Sequence, residues 1–175
     1  MEDAVEQLDN LARSVGECTR CDELVANRLR AVPGGGHPHC SVMVVALHTD
    51  PQDEEDGGLA GQALLADLAE FMPALARSRD QVYVTALVKC VPRSDCVVRG
   101  PLPHELDNCY RHLSKELTIT TPHYVLTVGE ETTRYLLGKL FDTFFRVPFL
   151  DVKHCESLGK RSFRQHAIKE HFTDK

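Results

Sequence analysis

The sequence lacks any apolar run long enough to cross a membrane. A spanning helix needs about 20 mostly apolar residues, and no stretch of this 175-residue chain approaches that length. The first ten residues, MEDAVEQLDN, also lack the basic and apolar regions of a secretory signal. We therefore expect a protein without a membrane partner that stays inside the cell, in the cytoplasm.

Positive charge is also scarce. The 20 Lys and Arg residues against 26 Asp and Glu give a net charge of −6, which argues against a protein that coats nucleic acid by bulk electrostatics. The charge is uneven, because residues 1–80 carry 6 basic and 15 acidic residues and residues 81–175 carry 14 and 11. The C-terminal Lys160, Arg161 and Arg164 are therefore candidate contacts for DNA phosphates, although a solvated helix end explains them equally well.

No internal repeat, low-complexity tract or interdomain linker interrupts the chain. With 42% hydrophobic residues, a chain of this length can bury one good core. The sequence therefore predicts a single domain over residues 1–175, and we expect a monomer.

Short apolar runs alternate with helical patterns. Three runs rich in β-branched residues predict buried strands, at residues 42–47, 82–88 and 124–128. Amphipathic spacing predicts helices over residues 4–15, 64–76, 103–117 and 130–140, and Pro33 with the three glycines after it predicts a loop. This alternation indicates an α/β fold with a parallel sheet covered on both faces. Sites in such sheets gather beyond the carboxyl ends of the strands.

Cysteine is the residue type that most directly predicts a site. Seven cysteines in a chain without a secretory signal favour ligand or thiol roles over disulfides. Cys18 and Cys21 have a spacing that suits zinc, an iron–sulfur cluster or a redox thiol pair. Cys90 follows the second predicted strand and Cys109 lies on the next helix, so both can fold back against that pair. The residues alone leave the metal open.

Several motifs resemble those of the family 4 uracil-DNA glycosylases. They are Cys-Thr-Arg-Cys-Asp-Glu-Leu from residue 18, Thr-Ala-Leu-Val-Lys-Cys-Val-Pro from residue 85, and Val-Leu-Thr-Val-Gly from residue 125. The resemblance covers about residues 18–140 and implies the uracil-DNA glycosylase-like fold, a four-stranded parallel sheet flanked by helices. It also implies a 4Fe-4S cluster on Cys18, Cys21, Cys90 and Cys109. Because the segment from Cys90 to Cys109 is slightly longer than the family pattern, Cys96 is an alternative fourth ligand.

The family positions that carry out base excision hold different residues here. Leu47 stands where the family has the glutamate that orients water, Leu59 where it has the aromatic that stacks on uracil, and Ala86 where it has the asparagine that reads the uracil edge. The family's His-Pro-Ser loop does not occur in the sequence, and His154 is the nearest candidate, although a surface histidine explains it more simply. The resemblance therefore predicts a member in which the active-site motifs are lost.

Three polar residues near the first strand are candidates for a replacement acid–base set: His48, Asp50 and Asp53. A solvated acidic loop explains them better. Our first hypothesis is an iron–sulfur protein that has lost base excision and acts as an accessory or regulator in replication or repair, bound to DNA or to a protein. The second is an active DNA glycosylase with other catalytic residues or another base preference. The third is a redox-sensing regulator, although we interpret the cluster as structural.

Overall fold

A computed structural model of the protein describes residues 3–57, 81–140 and 149–152. The helices are α1 Ala4–Gly16, α2 Asp22–Asn27, α3 Pro51–Asp56, α4 Pro103–Thr120 and α5 Glu130–Leu140. The strands are β1 Gly35–Gly36, β2 Val42–His48, β3 Val82–Val88, β4 Arg93–Ser94, β5 Val97–Val98, β6 Tyr124–Val128 and β7 Phe149–Val152. None of the helices in these ranges is long and apolar enough to span a membrane.

The main sheet has the order β1-β3-β2-β6-β7. The strands β3, β2, β6 and β7 are parallel, and β1 runs antiparallel at the edge. The predicted four-stranded parallel sheet is therefore confirmed. The predicted loop after Pro33 is wrong at Gly35 and Gly36, which pair with β3. Gly36 has a φ of 134°, and a β-carbon there would overlap the carbonyl oxygen of Val82, so only glycine lets the chain approach this edge so closely.

The core explains why the central strands are apolar almost throughout. Side chains alternate between the two faces of a strand, and all seven residues of β3 are buried. On one face, Met43 and Leu87 belong to the same buried cluster as Leu113 of α4 and Val15 of α1. The opposite face, which carries Val44, is buried as well. A parallel sheet covered on both sides gives this pattern of continuous hydrophobic runs.

Three of the four predicted helices agree with the structure, and the short helices α2 and α3 have no predicted counterpart. Helices α1, α4 and α5 lie where the amphipathic patterns predict them, and the predicted helix over residues 64–76 lies outside the described residues. The solvated acidic loop predicted around Asp50 and Asp53 is wrong, because residues 51–56 form α3. Asp50 caps this helix by accepting a 2.8 Å hydrogen bond from the Gln52 N–H, and Gly57 ends it with a φ of 63°.

The start of α4 is fixed by a buried carboxylate. Glu105 accepts two hydrogen bonds from the Arg99 guanidinium, at 2.8 and 2.7 Å, and one of 2.7 Å from the Leu102 N–H. Burial alone opposes ionisation of Glu105, but these donors outweigh it and lower the pKa of this carboxyl group. The hydrogen bonds therefore stabilise the charged form and hold the hairpin β4–β5 close to the first turn of α4.

We expect Glu105→Gln to lower the free energy of unfolding by about 2–3 kcal/mol at pH 7, because hydrogen bonds to a charged group are lost in a buried position. The pKa of Glu105 is lower in the folded protein than its unfolded value of about 4.3. The contribution is therefore fully present above about pH 4.3 and is lost as the pH falls through the folded pKa. Urea unfolding at pH 7 and at lower pH measures both effects.

Glu23→Gln is the matched control for this prediction. Glu23 contacts the same Arg99 guanidinium at 3.3 Å but is about half exposed, so its loss should cost less than about 1 kcal/mol. Equal losses of stability in the two variants would contradict the role assigned to Glu105.

Candidate functional site

Four cysteines from three segments of the chain line one cavity. Cys18 and Cys21 lie between α1 and α2, Cys90 follows β3, and Cys109 lies on the buried side of α4. Cys96, the alternative fourth ligand, is instead exposed at the tip of the β4–β5 hairpin. The remaining residues around the cavity are Arg20, Leu24, Arg28, Ala31, Lys89, Asn108 and His112. The fold thus brings together the four cysteines implied by the resemblance and leaves Cys96 apart from them.

Nitrogen donors point at three of these sulfur atoms. Arg28 donates from Nη1 to Cys90 Sγ at 3.2 Å, and from Nη2 to the carbonyl oxygen of Cys18 at 2.6 Å. The backbone N–H of Lys89 donates to Cys109 Sγ at 3.2 Å. Asn108 Nδ2 donates to Cys21 Sγ at 3.6 Å and to the Arg20 carbonyl oxygen at 3.3 Å. Such donors stabilise sulfur atoms that carry negative charge.

The cavity does not favour thiolates by itself. Burial raises the pKa values of Cys21 and Cys90, and raises that of Cys109 to about 12. A negative charge on Cys18 raises each of these pKa values further, because ionised sulfur atoms in one cavity repel each other. A bound cation would remove this conflict, because metal ions deprotonate the thiols that coordinate them.

A buried ion pair lies beside the cavity. Lys89 Nζ is 2.7 Å from Glu116 Oε2 and also donates to Thr85 Oγ1, and both charged side chains are almost fully buried. Glu116 also accepts hydrogen bonds from Thr85 Oγ1 at 2.8 Å and from the Gly34 N–H at 3.2 Å. The pair therefore connects α4 to β3 and to the segment that leads into β1.

Two of the positions that the resemblance assigns to base excision lie within the described residues, near the carboxyl ends of β2 and β3. Both hold apolar side chains. Leu47 is half-buried and packs against the hydrophobic core, and Ala86 is buried within β3. Ala86 pairs with Ala46, so these two alanines share a face of the sheet and Leu47 lies on the other. None of the three side chains can orient a water molecule or read a base by hydrogen bonding.

The polar residues at the end of β2 and just after it make local interactions. His48 Nδ1 lies 2.8 Å from the Thr49 carbonyl oxygen, and Asp50, although exposed, caps α3. Asp53 lies within α3 and is partly buried. Glu54 is fully buried, accepts a 3.1 Å hydrogen bond from the Leu29 N–H, and forms an ion pair with Arg93. The sequence patterns gave no sign of this last pair, because four consecutive acidic residues normally face solvent.

Comparison of the sequence with known proteins identifies a family. A sequence model of the uracil DNA glycosylase superfamily matches residues 33–173. The chain belongs to this superfamily. It is 30% identical to the type-4 uracil-DNA glycosylase of Sulfurisphaera tokodaii over 144 residues. This alignment covers 80% of this chain and 62% of that protein. It is 31% identical over 140 residues to the type-4 enzyme of Saccharolobus solfataricus, with 78% and 62% covered, and 27% identical over 145 residues to that of Archaeoglobus fulgidus, with 81% and 68% covered.

The chain of this superfamily member spans about 62% of the length of the first two relatives. The structure brings its four candidate cluster ligands to one cavity and puts Leu47, His48, Asp50 and Ala86 at the carboxyl end of the sheet. Asp53 lies in α3 and Cys96 in the β4–β5 turn, and five further predicted site residues lie outside the described part of the chain: Leu59, His154, Lys160, Arg161 and Arg164.

The four cysteines are not packed as ligands of one ion. Within residues 3–57, 81–140 and 149–152, no group of three or more His, Cys, Asp or Glu side chains is arranged to hold a single metal ion. A zinc ion bound by four cysteines has each sulfur atom at about 2.3 Å from the metal. In a 4Fe-4S cluster the four cysteines bind different iron atoms, so the ligands surround a larger group. In number and chemistry, this superfamily member's cysteines fit such a cluster.

Proposed function

We propose that this protein is an iron–sulfur member of the uracil DNA glycosylase superfamily that does not excise uracil and instead acts as an accessory or regulator, bound to DNA or to a protein of repair or replication. The observation that carries this proposal is the apolar carboxyl end of β2 and β3, where Leu47 and Ala86 lie. Excision from DNA requires that a flipped base be read by hydrogen bonds and stacking while the chemistry takes place. Neither position supplies a polar group for these tasks.

We propose that Cys18, Cys21, Cys90 and Cys109 hold a 4Fe-4S cluster. The shared cavity and the donors from Arg28, Lys89 and Asn108 to three of the sulfur atoms support this assignment, because hydrogen bonds to the sulfurs are part of how proteins hold and tune such clusters. When bound, the cluster supplies bonds that link the segment between α1 and α2 to β3 and α4. Its proposed role is therefore structural.

DNA is the proposed partner because the relatives are uracil-DNA glycosylases by name. The proposed phosphate contacts are Lys160, Arg161 and Arg164. Their clustering in the basic C-terminal part of an otherwise acidic chain supports the assignment.

A second candidate function is an active glycosylase that uses Asp50. This carboxylate is exposed and lies two residues after β2, at the end of the sheet where sites of parallel α/β folds form. The 30% identity to a type-4 uracil-DNA glycosylase also favours retained activity. In this case Asp50 would have to orient the attacking water in place of the residue replaced by Leu47.

Excess protein incubated with single- and double-stranded uracil oligonucleotides, followed by alkaline cleavage of abasic sites, should give no strand breaks above a control without protein. Removing a positioned acid–base group typically lowers a rate by about 10²–10⁴-fold, and here the stacking and reading groups are replaced as well. A gel shift with the same labelled oligonucleotides reports whether the protein binds DNA.

Robust strand cleavage would contradict the loss of excision and favour the second candidate. Asp50→Asn should then abolish cleavage, whereas Asp56→Asn, the same change at the exposed end of α3, should leave it intact. Cleavage that survives Asp50→Asn would exclude Asp50 as the group that orients water.

A further inference from the structure

His112 is a buried polar side chain whose hydrogen bonds are missing. It lies on α4 one turn beyond Cys109, is 3% exposed, and lines the same cavity as the four cysteines. Neither Nδ1 nor Nε2 has a hydrogen-bond partner in the described part of the chain. A buried polar group without a partner is destabilising, so a hydrogen-bond partner for His112 is expected within the cavity.

Burial and neighbouring cations oppose a positive charge on His112. Burial lowers its pKa to about 4, and the positive charges of Lys89, Lys115 and Arg20 act in the same direction. A neutral imidazole has one N–H donor and one acceptor nitrogen. A protonated imidazole has two N–H donors, so the ring offers at least one donor in either state.

The cavity contains sulfur atoms that can accept this donor. Arg28, Lys89 and Asn108 already donate to Cys90, Cys109 and Cys21. For the sulfur atom of Cys18, no donor is recorded among the described residues. A cluster held by the four cysteines would add sulfide acceptors within the same space, since each of its faces is built from iron and sulfur.

We propose that His112 donates an N–H hydrogen bond to a sulfur atom of the cluster and thereby raises the cluster's reduction potential. The proposal rests on the cluster assigned to Cys18, Cys21, Cys90 and Cys109. A hydrogen bond to sulfur stabilises the reduced state more than the oxidised state, because the reduced cluster carries more negative charge. His112 is in this role a positioning residue that tunes the cluster and is not an iron ligand.

Three variants test the donor on anaerobically purified protein. His112→Leu removes the N–H, His112→Gln keeps an N–H donor of similar reach, and His104→Leu makes the first change at an exposed histidine in the first turn of the same helix. Iron content, reduction potential from spectroelectrochemistry, and the shift of the iron–sulfur vibrational bands in deuterated water are measured on each.

We expect all three variants to keep the iron content of the natural sequence. The potential should become more negative in His112→Leu, return part of the way in His112→Gln, and stay unchanged in His104→Leu. The deuterium shift should become smaller only in His112→Leu. The part of the shift that remains should come from the donors on Arg28, Lys89 and Asn108.

Three results would overturn the proposal in different ways. An iron-containing His112→Leu protein with an unchanged potential and an unchanged deuterium shift would exclude the hydrogen bond and leave the cluster assignment intact. Loss of iron in both His112 variants, with retention in His104→Leu, would make the histidine a ligand instead of a donor. A natural sequence that binds no iron would overturn the cluster and this role together.

Discussion

Anaerobically purified Cys109→Ser protein should lose most of its iron, whereas Cys96→Ser protein should keep the full content, about four atoms per chain. Cys109 is buried, lines the cavity with the other three proposed ligands, and accepts a hydrogen bond from the Lys89 N–H. Cys96 is exposed at a hairpin tip. Metal analysis and the visible absorption of the brown protein measure the difference.

The same pair of variants identifies the fourth ligand. Iron retained in Cys109→Ser and lost in Cys96→Ser would identify Cys96, and not Cys109, as the fourth ligand. The hairpin would then have to fold over the cavity. Stoichiometric zinc without iron in the natural sequence would contradict the cluster itself. Cys109→Ser should also unfold at lower urea concentration, because three chain segments lose the group that links them.

Three of the four parallel strands could be predicted because burial on both faces leaves continuous apolar runs in the sequence, whereas β7 has no predicted counterpart. Strands β3 and β6 have the predicted boundaries, and β2 is only one residue longer than predicted. The small elements could not be predicted in this way. Strands β4 and β5 have two residues each, and the turn between them has positive φ at Asp95 and Cys96 without a glycine to indicate it. Strand β1 consists of two glycines, which normally indicate a loop.

The site could be predicted where chemistry is visible in residue type and spacing. The four cysteines fall into this class, and their meeting at one cavity agrees with the motif order. The buried charged residues could not be predicted in this way, because Lys89, Glu54 and Glu116 would normally face solvent. Their burial depends on partners from distant segments of the chain. Lys89 and Glu116, for example, are 27 positions apart in the sequence. Spacing within one element carries no signal for such a pair.

Breaking the buried pair should be among the most damaging single changes in the protein. Lys89→Met leaves the Glu116 carboxylate buried without its cation, and Glu116→Leu leaves the Lys89 ammonium buried without its anion. Each should lower the free energy of unfolding by about 3–5 kcal/mol, because an uncompensated charge in the interior is costly. Chemical unfolding at pH 7 measures both values.

The double variant Lys89→Met with Glu116→Leu distinguishes a buried pair from ordinary packing. Replacing both charges by apolar groups of similar size is often nearly neutral, so the double variant should lose much less stability than the sum of the single changes. Glu130→Gln provides the control, because the Glu130–Arg134 pair is mostly exposed and should contribute less than about 1 kcal/mol. Additive losses in the double variant would mean that the two charges do not compensate one another. The damage would then arise from lost hydrogen bonds of Thr85 and Gly34 and from altered packing around β3.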